Sequence, residues 1–208
     1  MDERTKEIAK QYMKTVSEKI QHTEKIPLKL PHEQSQTSAM LLGSYGAVVQ
    51  SRDMELQVDD STVSKVEKVV KWMYESRKRG LLLCGTLGNG KTTMLRALRM
   101  LFGIRAVYME AQAVYDNFKQ NQTFPPVTSS DMLLLDDLGA EPQTYNDFGE
   151  VRYPLAEFLM QRYKNNSTTV IATNLTFEQI GERYGDRLKD RMKEMFAIIT
   201  YIEPSYRK

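Results

Sequence analysis

The eight residues Gly85-Thr86-Leu87-Gly88-Asn89-Gly90-Lys91-Thr92 constrain this chain more than any other stretch. Two glycines bracket four residues and are followed by Lys-Thr, the spacing of a phosphate-cradling Walker A loop. Glycine lets the backbone curl until several N–H groups converge on one anion, and a helix beginning at Lys91 adds its positive N-terminal end. In such a loop Lys91 reaches the β- and γ-phosphates of a nucleotide, and the Thr92 hydroxyl is a ligand for Mg²⁺. The surroundings fit: the apolar run Leu81–Cys84 precedes the loop and a helical pattern over Lys91–Phe102 follows it. The expected cofactors are ATP and Mg²⁺, with Gly85, Gly88, Asn89, Gly90, Lys91, Thr92 and Thr93 as the nucleotide-binding set. Cys84, closing the strand, reads as a small buried hydrophobe.

A second segment matches the first. Met132-Leu133-Leu134-Leu135 is a buried-strand run that ends in Asp136 and Asp137. A carboxylate at a strand tip suits Mg²⁺, so Asp136 is expected to hold the ion directly or through water. Asp137 is then positioned to polarise an attacking water.

From Gly80 onward strand and helix patterns alternate. Strands are expected at Leu81–Cys84, Arg105–Met109, Met132–Leu135, Thr168–Ala172 and Phe196–Ile202. Helices are expected at Lys91–Phe102, Ala111–Lys119, Phe148–Tyr163 (started late or kinked by Pro154), Phe177–Gly181 and Gly185–Lys193. Alternation of this kind predicts an α/β fold, a five-stranded parallel sheet covered on both faces by helices. Ahead of it, Asp60–Lys78 has the spacing of a helix, with Asp59, Asp60 and Ser61 as candidate N-caps. Trp72 lies beside its stripe and reads as packing rather than a base-stacking platform. Residues 3–22 read as a charged helix whose narrow stripe (Ile8, Tyr12, Val16, Ile20) could dock on the chain itself or on a partner. Pro27, Pro31, Gly43 and Gly46 mark 23–50 as a linker or extended arm. Residues 1–50 are thus an N-terminal helix and linker, and 51–208 the ATPase domain.

Composition excludes more than it assigns. With 29 Lys and Arg against 27 Asp and Glu, the net charge is +2, so bulk polycation behaviour is ruled out and only a local basic patch remains. One cysteine and two histidines cannot make an intrachain disulfide or a Cys/His zinc module. No signal peptide and no membrane-spanning run is visible, so a cytoplasmic protein is expected.

The ordered set of Gly85–Thr92, Leu135-Asp136-Asp137-Leu138-Gly139-Ala140-Glu141, Ile171-Ala172-Thr173-Asn174-Leu175, Gly185-Asp186-Arg187-Leu188-Lys189-Asp190-Arg191-Met192 and Ser205-Tyr206-Arg207 resembles the AAA+ ATPases of the DnaC/DnaI helicase-loader and IstB transposition-helper group. The resemblance spans about residues 55 to 208 and implies a P-loop NTPase of the AAA+/ASCE type with no large C-terminal lid domain. It implies that Asn174 is sensor 1, touching the γ-phosphate or the attacking water. It makes Arg191 an arginine finger donated to a neighbouring subunit's ATP, with Arg187, one turn earlier, as its rival, and Arg207 sensor 2. A planar, permanently charged guanidinium suits the charge spread over transferring phosphoryl oxygens. Asp137 stands where AAA+ proteins usually carry glutamate, which points to slow hydrolysis.

The function so implied is an ATPase switch, stimulated by DNA or self-assembly, that binds single-stranded DNA and a replicative helicase. The alternative is an IstB-like helper that binds duplex DNA and a transposase. Two other readings weigh less: a small-molecule P-loop kinase, which the Asp136-Asp137 pair, Asn174 and the terminal arginines oppose, and a non-hydrolysing adaptor. Candidate DNA contacts are Arg96, Arg99, Arg105 and Lys119, with Tyr115 and Phe118, whose helical spacing equally suits the core.

Overall fold

Leu81, Leu82 and Leu83 are fully buried, as expected of a strand covered on both faces. They form β1 (Gly80–Gly85) at the centre of the computed structural model, which describes residues 30, 32–54, 58–127, 132–147 and 149–202. The expected helix over 3–22 and Arg207 lie outside the described residues.

Along the chain the elements are α1 (Gln34–Gln50), α2 (Asp60–Glu75), β1, α3 (Lys91–Phe102), a 3₁₀ turn (Gly103–Arg105), β2 (Ala106–Glu110), α4 (Ala111–Asn121) and β3 (Met132–Leu138). A two-stranded hairpin, β4 (Tyr145–Asp147) and β5 (Glu150–Arg152), follows, then α5 (Pro154–Lys164), β6 (Thr169–Thr173), α6 (Phe177–Tyr184), α7 (Asp186–Met195) and β7 (Phe196–Tyr201). Five strands make one parallel sheet in the order β2-β3-β6-β1-β7. The predicted five-stranded parallel sheet flanked by helices is therefore the observed one.

Alternation along the strands sends side chains to two cores. Leu81, Leu83, Leu134 and Val170 pack with Leu41, Val66, Val69, Trp72, Met94 and Leu98 from α1, α2 and α3. Leu82, Leu133, Leu135 and Ile171 pack on the other face with Val114, Leu155, Phe158, Ile180 and Leu188 from α4 to α7. Local signals set the helix starts. Asp59 caps α2, its carboxylate accepting the Thr62 N–H at 2.7 Å. At α6, Thr176 and Gln179 form a capping box.

One expectation is corrected. Over 34–50 the chain is not a linker but the helix α1. Gly43 and Gly46 each cost about 1 kcal/mol of helix propensity, yet Thr37, Leu41, Tyr45 and Val48 recur on one face and are buried against α2 and α3. The helix is also tied by hydrogen bonds: Tyr74 Oη donates to the His32 carbonyl at 2.8 Å, leaving Thr37 Oγ1 to donate to Tyr74 at 2.7 Å. The late helix start expected at Pro154 is the one observed: strands β4 and β5 lie ahead of it, and α5 begins at Pro154 because proline suits a first helical position and disfavours helix before it. Arg152 fixes the hairpin to α5, with Nε donating to Glu157 Oε1 at 2.9 Å and Nη2 to Oε2.

Leu41 is fully buried, so Leu41→Ala should lower the unfolding free energy by about 2–4 kcal/mol. Urea denaturation checks this; an unchanged midpoint would mean that α1 does not dock.

Candidate nucleotide site

The Lys91 loop joins β1 to α3 and can be built only on glycine. Gly85 has φ +149°, and a Cβ there would sit 2.4 Å from the Tyr201 carbonyl oxygen. Gly90 has φ +94°, and its Cβ would meet Tyr45 Oη at 2.2 Å. Gly90 is the N-cap of α3 and supplies no side-chain cap, the arrangement that leaves first-turn N–H groups able to take an anion. Lys91 Nζ donates to the carbonyls of Gly85 and Thr86, both at 2.7 Å, and to Asn89 Oδ1 at 3.1 Å. Burial lowers its pKa, against the opposing pull of Asp137, Cys84 and Asp136.

Asn89 anchors the loop from below. Fully buried, it donates through Nδ2 to the Tyr201 carbonyl at 3.0 Å. Its own carbonyl accepts from Lys65 Nζ at 3.3 Å, and that ammonium lies 5.1 Å from the centre of the Tyr201 ring. Lys65 comes from α2, Tyr201 from β7 and Tyr45 from α1, so three elements distant in sequence brace one turn. Thr93, also buried, accepts from Arg52 Nη1 at 3.2 Å.

Asp136 stands opposite. Its Oδ1 accepts from Thr92 Oγ1 at 3.2 Å and from the Asp137 N–H at 3.0 Å, and its Oδ2 accepts from Tyr108 Oη at 2.6 Å. Burial first, then the bond to Asp136, pushes the Tyr108 phenol above its ordinary value, so it stays the donor. Among the described residues no three His, Cys, Asp or Glu side chains gather as a metal cage. Mg²⁺ needs none: it takes one or two protein oxygens and completes its shell with phosphates and water. Adjacent ligands around a Mg²⁺ with ~2.1 Å bonds lie about 3 Å apart, and Thr92 Oγ1 and Asp136 Oδ1, at 3.2 Å, fit that spacing.

Asp137 is exposed and has φ +53°, unusual for a non-glycine residue, at a shift of register between Leu135 and Leu138. The shift turns it out of the sheet toward solvent. Asn174 is exposed immediately after β6. Because β6 pairs with β1 on one side and β3 on the other, with Thr173 opposite both Cys84 and Leu138, Asn174 emerges between the loop and the carboxylates. Lys91, Thr92, Asp136, Asp137 and Asn174 thus share the C-terminal edge of the sheet.

Arg191 is elsewhere. Its Nη1 donates to Glu194 Oε1 at 2.8 Å and its guanidinium lies 5.4 Å from the Tyr163 ring centre, both on the surface of its own chain. Arg187 is exposed one turn earlier on α7. Tyr115 and Phe118 are buried, as is Trp72, whose Nε1 donates to the Lys78 carbonyl at 3.0 Å. All three are packing residues. Arg96, Arg99, Arg105 and Lys119 remain exposed.

Three residues that brace the candidate site are not evident from the sequence: Tyr108, Lys65 and Glu141. Glu141 is buried four residues after Asp137, accepting from the Gly139 N–H at 2.9 Å and from Tyr184 Oη, with Arg183 Nη2 at 3.8 Å. It ties the loop that carries Asp137 to α6. The apolar-then-acidic run from Leu138 to Glu141 hints at it, but no spacing rule names its partners.

No protein-family model and no curated protein matches the chain. Among solved structures it is similar to that of DnaI, with 23% identity and a TM-score of 0.55 over 77% of this chain and 93% of that one. AMPPCP-bound DnaA from Aquifex aeolicus gives 18% identity and a TM-score of 0.49 over 70% of this chain and 48% of that one. Domain III of the Thermotoga maritima replication initiation protein DnaA gives 14% and 0.49 over 72% and 65%. At this identity the likeness shows the fold alone, and it is the fold of DnaI, so the resemblance to the DnaC/DnaI group holds at the level of architecture.

Burial raises the Cys84 thiol to about 11, so at pH 8 only about 0.1% is thiolate. Iodoacetamide should therefore label the native protein far more slowly than the urea-unfolded one. Equal rates would place Cys84 outside the core.

Proposed function

We propose that this chain is an ATP-binding and hydrolysing switch that acts on single-stranded DNA together with a replicative helicase. The observation that carries the reading is the approach of Thr92 and Asp136 across a glycine loop, at the sheet edge where Asn174 also emerges. In this reading the loop amides and Lys91 hold the phosphates, Lys91 exchanging its carbonyl partners for phosphate oxygens. Thr92 and Asp136 would hold Mg²⁺, which would supply neutralisation of phosphate charge. Asp137 polarises the attacking water, and its outward-turned backbone supports that role. Asn174 orients the water or the γ-phosphate, and Arg207 reads the nucleotide within the subunit. Arg191 leaves Glu194 and Tyr163 to reach a neighbouring subunit's ATP, making hydrolysis depend on self-assembly. Such a finger contributes about 10³–10⁵ in rate.

Exposed Arg96, Arg99, Arg105 and Lys119 supply phosphate contacts for DNA. Burial of Tyr115 and Phe118 leaves this binding mainly electrostatic, hence steeply salt-dependent. An IstB-like helper would share the ATP site but prefer duplex DNA and a transposase. Fluorescence anisotropy on single- and double-stranded oligonucleotides at equal salt separates the two, and tighter binding to duplex overturns the loader assignment.

Lys91→Ala should abolish ATP binding in a calorimetric titration; undiminished affinity would remove the loop from the nucleotide site. Arg191→Ala should leave ATP affinity intact while phosphate release loses its dependence on protein concentration. Persistence of that dependence shifts the finger to Arg187.

A further inference from the structure

A buried carboxylate must have its oxygens satisfied, and which oxygen faces which partner decides what else it can bind. In Asp136 the division is unequal. Oδ1 faces Thr92 and the Asp137 amide, while Oδ2 points to Tyr108 Oη. Tyr108 is the middle residue of β2, paired in register with Leu134, two residues before Asp136 on β3. Its half-buried ring lies 5.8 Å from the Arg96 guanidinium carbon, and Arg96 follows Thr92 by one turn of α3. A single helix therefore contributes both the Thr92 hydroxyl and the cation that lies over the tyrosine.

We propose that Tyr108 is a positioning residue for the metal-binding carboxylate: its hydroxyl holds Asp136 Oδ2 so that Oδ1 is presented to Thr92 and the cation. An aspartate side chain has a broad, roughly two-fold χ2 preference, so nothing intrinsic to Asp136 selects one oxygen for the metal. With Thr92 and the Asp137 N–H already on Oδ1, the phenol fixes the rotation from the other side, through a short charge-assisted hydrogen bond from an ordered strand. Arg96 restrains the ring in turn. This inference rests on the nucleotide reading above and concerns only how the cation is held.

Tyr108→Phe removes the hydroxyl, with its contacts to Asp136 and Arg96, and keeps the ring. The test measures affinity for a fluorescent ATP analogue in EDTA and across a Mg²⁺ titration, with thermal melts of both proteins. The expected result is an unchanged affinity in EDTA together with a roughly 10-fold rise in the Mg²⁺ concentration needed for half-maximal effect, the size of effect typical for residues that orient metal ligands. A Mg²⁺ response equal to wild type overturns the proposal. So does a loss of affinity of the same size in EDTA, which would mark Tyr108 as a general structural residue. If wild-type protein binds no nucleotide with or without Mg²⁺, the nucleotide reading falls, and this inference with it.

Discussion

The hydrogen-bonding of β6 between β1 and β3 is the constraint on which the rest of this molecule depends. It pairs Thr173 with Cys84 on one side and, past the register shift, with Leu138 on the other. Parallel strands in register end at a common edge, so the loop after β1, the carboxylates of β3 and the turn after β6 become neighbours. Thr173 reinforces the junction, its Oγ1 donating to the Leu138 carbonyl at 2.6 Å and accepting the Leu175 N–H at 3.0 Å. Separate the strands and the site has no geometry.

Around that edge the molecule buries polar groups that a simple core would exclude. Lys65, Asn89, Lys91, Asp136 and Glu141 all have little exposure. Burying such groups is costly unless each finds a partner, and each of these does: a carbonyl, an amide, a hydroxyl or an aromatic face. These contacts brace rather than merely compensate. The Lys91 loop is held by α1, α2 and β7, and the loop carrying Asp137 is held to α6 through Glu141, Arg183 and Tyr184.

Much of the candidate site was legible because its residues carry position-specific chemistry in a short span. Glycine loops must be contiguous, and a carboxylate at a strand tip follows directly from an apolar run. The sheet strands were legible for a related reason: residues buried on both faces leave unbroken apolar runs such as Leu133–Leu135. Propensity misled where tertiary packing overrode it. In α1 the glycines argue for a linker, but burial of Leu41 and Tyr45 outweighs them. Before α5, Pro154 marked a boundary without revealing the hairpin ahead of it. Tyr108, Lys65 and Glu141 are not legible in the sequence because each acts through a partner 24 to 43 residues away, a distance no local period encodes.

The sequence by itself determined that the chain would make a glycine turn ahead of a helix, an acidic strand tip and a helix-covered parallel sheet, since each follows from covalent geometry and local burial. Only the tertiary structure decided which strand lies between the other two, which face of α1 closes over the loop and which oxygen of Asp136 the tyrosine takes. Those choices depend on contacts between residues far apart in the chain. They come into being only when non-local burial offsets the entropy of bringing the segments together.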